Sequence, residues 1–159
     1  MMTQEKDLEG LGGWLILVGI GIILCPLRAI AFILPTYVKL FSNGSWEMLT
    51  TPGTEAYNSL WAPILIGEIS INVAMILIWG FIAFLFFSKK ENFPKWYIGI
   101  ILFTTAFILA DALSIKLVMP DEPIFDPDTV KEFSRSLIAT FIWVPYMLTS
   151  KRVKATFIK

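Results

Sequence analysis

The sequence contains no histidine and only one cysteine, Cys25. These absences exclude histidine-ligated metal sites, serine–histidine and cysteine–histidine catalysis, and an intramolecular disulfide within this chain. Charged residues are also scarce, at 16% of the chain, and Lys plus Arg balance Asp plus Glu at 13 each. A neutral chain has no electrostatic support for a nucleic-acid partner. Because the usual nucleophile–base and metal sets are missing, we expect no enzyme activity and predict no cofactor.

Apolar residues are abundant, at 56% of the chain, and they are concentrated in long runs. Runs of about 20 such residues span a bilayer as helices. We therefore predict an all-α fold, a four-helix transmembrane bundle in a single domain of residues 1–159. The predicted helices cover about 12–34, 61–87, 95–118 and 127–150. Outer loops are expected at 36–60 and 119–126, with a basic loop at 88–95 and a basic tail at 151–159.

Several residues make local predictions about these helices. Pro26 removes a backbone donor and predicts a kink in the first helix. Gly21, Cys25 and Ala29 recur every four positions, which favours close approach of another helix, within the chain or in a dimer. We expect Cys25 to be a small buried hydrophobic residue.

At the start of the fourth helix, Asp126 is expected to cap the helix ahead of Pro127.

Basic residues stay on the cytoplasmic side of membrane proteins, and their distribution predicts an orientation. The loop between the second and third helices and the tail hold most of them, whereas the other two loops hold only Lys39 and Lys131 with most of the loop acids. Both termini are therefore predicted to be cytoplasmic. The acidic N-terminus has no basic start or cleavage pattern of a secretory signal, so we expect the first helix to be retained. No lipidation motif is evident.

The predicted spans carry isolated charges that must be housed within the bilayer. Helical rise puts Arg28, Glu68 and Asp111 at a similar depth, roughly 8–10 Å from the outer side, with Arg135 slightly above them. Unpaired ions are costly in hydrocarbon, so these side chains are expected to face inward and pair. Our first choice of pairs is Arg28 with Glu68, and our second is Asp111 with Arg135. Asn72 shares a face with Glu68 and can donate to either acid.

Three roles remain open for these five residues. They can form an ion-pair network that fixes helix order, a polar pocket that binds a small ligand or ion from outside, or a contact with another protein. The bilayer is the predicted partner in every case. The function we expect is that of a non-enzymatic accessory or interaction component, with a membrane-protein partner or a homo-oligomer. The alternative is a small oligomeric transporter or channel whose charge cluster lines a polar path.

Four short motifs resemble one known family. They are Leu8 with Gly10-Leu11-Gly12-Gly13-Trp14-Leu15, then Glu68 with Asn72, then Arg135-Ser136-Leu137, and the final run Ile142-Trp143, Pro145-Tyr146, Ser150-Lys151-Arg152-Val153-Lys154 and Thr156-Phe157. In these residues the chain is similar to the YdgK-like bacterial inner-membrane proteins, which share a domain of unknown function. The resemblance spans nearly the whole chain, and the final run is its most specific part. It implies four helices in the bacterial inner membrane, but no substrate or reaction.

Overall fold

The computed structural model describes residues 9–158, and within them all the regular structure is helical. The helices are α1 (Trp14–Ser42), α2 (Ser45–Thr50), α3 (Trp61–Phe87), α4 (Phe93–Ile115), α5 (Pro127–Thr149) and α6 (Lys151–Thr156). The acidic start of the chain and the last residue of the tail fall outside the described residues. The cytoplasmic placement of both termini stays a prediction.

Three of the described helices, α1, α3 and α4, are long and apolar enough to cross a membrane. Their surfaces expose large apolar side chains, such as Phe32 at 70% and Leu77 at 69%. A soluble monomer rarely exposes apolar surface of this extent, whereas lipid solvates it. The chain is therefore an all-α membrane protein. Helix α5 is 23 residues long, but its first half is polar, so a fourth span stays a prediction.

Helix α1 runs to Ser42, beyond the predicted end at residue 34. It continues through Pro26 and Pro35, although proline lacks a backbone donor. The Thr36 hydroxyl donates to the Phe32 carbonyl at 3.0 Å, next to the carbonyl that Pro35 leaves without its usual donor. The first predicted outer loop is correspondingly shorter, and it contains α2.

The start of α5 confirms the predicted cap. The Asp126 carboxylate accepts a hydrogen bond from the Thr129 backbone N–H at 2.6 Å, and Pro127 takes the first helical position. The hydrogen bonds that Thr129 donates hold the pKa of Asp126 below its ordinary value. This carboxylate satisfies an amide that would otherwise lack a partner at the helix end.

The buried core lies at the end of the bundle that contains the 88–92 connection and the tail. Leu15, Ile82 and Phe93 are fully buried there, and the Phe93 ring stacks on Phe157 with centroids 4.4 Å apart. Thr156 donates to the Gly10 carbonyl and accepts from the Gly10 N–H, both at 3.1 Å. The tail is thus more than a run of basic residues, because α6 and Phe157 close this end of the core.

The long helices pack in chain order, α1 on α3, α3 on α4, and α4 on α5. Close approach in α1 comes at Gly19, where an added Cβ would lie 2.9 Å from the Phe86 ring. At Gly21 nothing lies within 4 Å of such an atom, and Cys25 is exposed. The expected burial of Cys25 is therefore wrong. Because α1 and α5 do not pack along their length, the side of α1 that carries Gly21 and Cys25 stays open.

Candidate functional site

A hydrogen-bonded group joins the C-terminal part of α1 to the N-terminal half of α3. The Tyr37 hydroxyl donates to Glu68 Oε1 at 3.1 Å and accepts from Asn72 Nδ2 at 2.9 Å. Glu68 and Asn72 share one face of α3 because they lie four residues apart, as the sequence predicted. Asn72 therefore supports Glu68 through the tyrosine instead of donating to a carboxylate. All three side chains are part-buried.

Asp111 lies on α4 on the same side as this group. The negative charge of Asp111 acts electrostatically on the Glu68 carboxylate and on the Tyr37 hydroxyl. Asp111 is half-buried. Within residues 9–158, neither Glu68 nor Asp111 has a Lys or Arg within ion-pair distance. The two acids lie within electrostatic range of each other, and neither has one of the predicted cations beside it.

Arg28 pairs with a residue that sequence reasoning did not select. Its Nη2 lies 3.3 Å from Glu132 Oε1 on α5, and it does not pair with Glu68. The predicted common depth also fails for Arg28. Because α1 continues to Ser42, Arg28 lies at the midpoint of this helix. The residue of α1 that contacts Glu68 is Tyr37, which lies about 13 Å further along the helix. Polar contacts of α1 thus occur at two levels, one to α5 and one to α3.

Arg135 is exposed, and within the described residues it forms no ion pair with Asp111. The contact between α4 and α5 is made by hydroxyls instead. Thr105 Oγ1 lies 2.6 Å from Ser136 Oγ and 3.1 Å from Thr140 Oγ1. Hydroxyls that bridge helices in this way add interhelical hydrogen bonds without burying a charge. Of the five predicted site residues, the structure brings Glu68, Asn72 and Asp111 together and leaves Arg28 and Arg135 apart from them.

A cavity of about 380 Å³ adjoins the tyrosine group where α1, α2 and α3 meet. Tyr37, Lys39 and Glu68 are polar residues of its lining, and Leu40 and Leu65 supply apolar surface. It is large enough for a small solute, at the lower end of ordinary ligand pockets. Within residues 9–158, no group of three or more Asp, Glu, Cys or His side chains is placed to hold a metal ion.

Two side chains that organise this region were missed by sequence reasoning. Tyr37 falls just after the predicted end of the first helix, where a tyrosine is usually an interface anchor. Glu132 belongs to the polar first half of α5, where an acid normally faces water. Only the continuation of α1 through Pro35 indicates a role for Tyr37. No sequence pattern indicates the pairing of Glu132 with Arg28, because it depends on how α1 and α5 are placed.

A family model described as "Protein of unknown function (DUF2569)" matches residues 8–158. No curated protein and no solved structure matches the chain.

Proposed function

Because the chain belongs to the DUF2569 family of proteins of unknown function, we propose a role for it from its own geometry. The protein is a non-enzymatic accessory or interaction component of the bacterial inner membrane. It engages a membrane-protein partner or a second copy of itself through the open side of α1 that faces α5. This side is defined by Gly21, Cys25 and Arg28.

The observation that carries this proposal is the exposure of the Arg28–Glu132 ion pair. The exposed fractions of the two side chains are 50% and 58%, although Arg28 lies at the middle of an apolar helix 29 residues long. Contact between lipid acyl chains and a half-exposed ion pair costs free energy, because the charges are not solvated there. A partner helix relieves that cost by covering the pair, and the small residues Gly21 and Cys25 beside it allow close approach.

The same proposal includes four spans and a defined orientation. With 23 residues, α5 reaches about 33 Å, enough to cross the hydrocarbon core with its polar half toward the outside. The lysines of the 88–92 connection and the basic residues of α6 lie at the same end of the bundle, which supports cytoplasmic placement of that end and of both termini. The resemblance to YdgK-like proteins supports the inner membrane as the location.

Site-specific photocrosslinking in intact cells tests the proposed interaction. A photoreactive residue at position 25 should give a discrete protein adduct, either at twice the mass of the chain or with one other membrane protein. The same residue at position 77, which is exposed on α3, is the matched control. Arg28→Ala should abolish the adduct from position 25 because it removes the charge that the partner covers. Lipid adducts alone at both positions would contradict the proposal.

A second candidate function is a small oligomeric transporter or channel. It is favoured by Glu68 and Asp111, two half-buried acids that lack a cation among the described residues, with Glu68 in the wall of the 380 Å³ cavity. Four helices rarely enclose a solute path alone, so this function requires an oligomer. Proteoliposome flux of small cations should fall in Glu68→Gln and Asp111→Asn. Flux that is unchanged in both variants would reject transport.

A further inference from the structure

A second cavity lies on the lipid-facing side of the protein, between α3 and α4, near the start of α4. Its volume is about 320 Å³, and its lining is almost entirely apolar, with Ile78 on α3 and Gly99, Ile100 and Phe103 on α4. Lys95 and Trp96 lie at the end nearest the 88–92 connection. The cavity is therefore a groove that is apolar along its length and cationic at one end. We define these residues as the α3–α4 groove.

Gly99 lines the groove and contributes no side chain to it. An added Cβ there would meet nothing within 4 Å, so neither helix packing nor a backbone turn requires glycine at this position. Glycine inside a helix costs about 1 kcal/mol relative to alanine. From Lys95 to Phe103 the groove extends about 12 Å along α4. The Trp96 ring is held edge-on against Phe81, with centroids 5.2 Å apart, and forms a fixed wall at the cationic end.

The charge at this end of the groove is unbalanced. Within residues 9–158, no carboxylate lies within ion-pair distance of Lys95. The adjoining connection adds Lys89 and Lys90 against one acid, Glu91. Trp96 is 47% exposed, and its indole N–H suits the headgroup level of a bilayer. An anionic group placed here would also lie near the first turn of α4, which favours negative charge.

We propose that the α3–α4 groove binds one anionic phospholipid. The acyl chain lies over Gly99 between Ile78 and Phe103, and the phosphate contacts Lys95 and Trp96. Charge complementarity selects this occupant over a zwitterionic lipid, because each basic residue near a membrane surface raises the affinity for anionic lipid about fivefold. The binding itself does not depend on the partner surface of α1. With the proposed orientation, the bound lipid lies in the cytoplasmic leaflet, and this placement of the lipid rests on that orientation.

Binding is measured on delipidated protein in detergent, by native mass spectrometry with phosphatidylglycerol or phosphatidylcholine of the same acyl chains. The wild-type protein should retain phosphatidylglycerol about fivefold more strongly. Lys95→Gln should bring the two lipids close to parity, whereas Lys131→Gln, an exposed lysine on α5, should leave the preference intact. Gly99→Leu should fill the groove and weaken binding of both lipids. Gly80→Leu, which also meets open space but lies outside the groove, should not.

A phosphatidylglycerol with a photoreactive acyl chain locates the lipid. Adducts should map to Ile78, Ile100 or Phe103. The proposal is overturned if the wild-type protein shows no preference, if Lys131→Gln acts as strongly as Lys95→Gln, or if the adducts map elsewhere. A change of oligomeric mass in Gly99→Leu without loss of lipid would show that a second copy occupies the groove. Because Lys95 is exposed, its variant decides the question even if Gly99→Leu fails to fold.

Discussion

Replacing Tyr37 with phenylalanine removes one oxygen that makes two hydrogen bonds between α1 and α3. The hydroxyl donates to Glu68 and accepts from Asn72, and it is part-buried, so water replaces it poorly. An intramolecular hydrogen bond contributes about 0.5–1.5 kcal/mol, and side-chain bonds between membrane helices average about 0.6 kcal/mol. Two bonds therefore predict a loss of about 1–2 kcal/mol. In a chain of this size, that corresponds to a fall in Tm of about 3–6 °C.

Thermal unfolding of the detergent-solubilised protein measures this loss of stability. The observable is the fraction of the protein that stays monodisperse after heating. Tyr57→Phe is the matched control, because Tyr57 is 38% exposed and its hydroxyl makes no hydrogen bond to a described residue. Asn72→Leu should cost less in the Tyr37→Phe background than in the wild-type protein, because the two side chains share one bond. If Tyr37→Phe and Tyr57→Phe melt together, or if the losses at positions 37 and 72 add, the hydrogen-bonded group does not stabilise the bundle.

Three further predictions concern stability. In a double-mutant cycle, Arg28→Ala and Glu132→Ala should couple by about 0.5–3 kcal/mol, and purely additive losses would contradict the ion pair. Gly19→Ala should destabilise the protein by about 1–3 kcal/mol, because the new Cβ would lie 2.9 Å from the buried Phe86 ring. Gly21→Ala should be neutral or stabilising, because nothing lies within 4 Å of a Cβ there. A larger loss of stability in Gly21→Ala than in Gly19→Ala would refute the close contact between α1 and Phe86. Asp126→Ala should lower Tm at neutral pH. Since the hydrogen bond from the first turn of α5 lowers the pKa of Asp126, that loss should shrink as pH falls below the ordinary value of 3.8, and a loss constant down to pH 2 would argue against the cap.

Local patterns predicted the helices well where a single segment supplied the whole signal. The apolar run that became α3 has the predicted bounds, Trp61–Phe87, and Asp126 followed by Pro127 identified the start of α5. The end of α1 was predicted less well. Proline is disfavoured in helices of soluble proteins, but in lipid the backbone must remain satisfied, so the helix continues through Pro35 to Ser42.

Charge pairing could not be obtained from the sequence, because it depends on how helices distant in the chain are placed. Counting residues put Arg28 and Glu68 at one depth. The extra length of α1 brings Tyr37 to Glu68 instead, and the placement of α5 brings Glu132 to Arg28. Glu68 and Asp111 lie within electrostatic range of each other, and the start of α3 and the end of α4 fall near their predicted limits.

The sequence by itself determined that this chain is a helical membrane protein, because long apolar runs can satisfy their backbone groups in lipid only as helices. It also determined that Arg28, Glu68, Asp111 and Arg135 lie within helices. Only the tertiary structure decided which side chains meet, where the bundle stays open between α1 and α5, and that the basic tail closes the core through Phe157. These features depend on contacts between helices, and side chains that meet across a bundle are set by helix length and placement, which local sequence patterns do not encode.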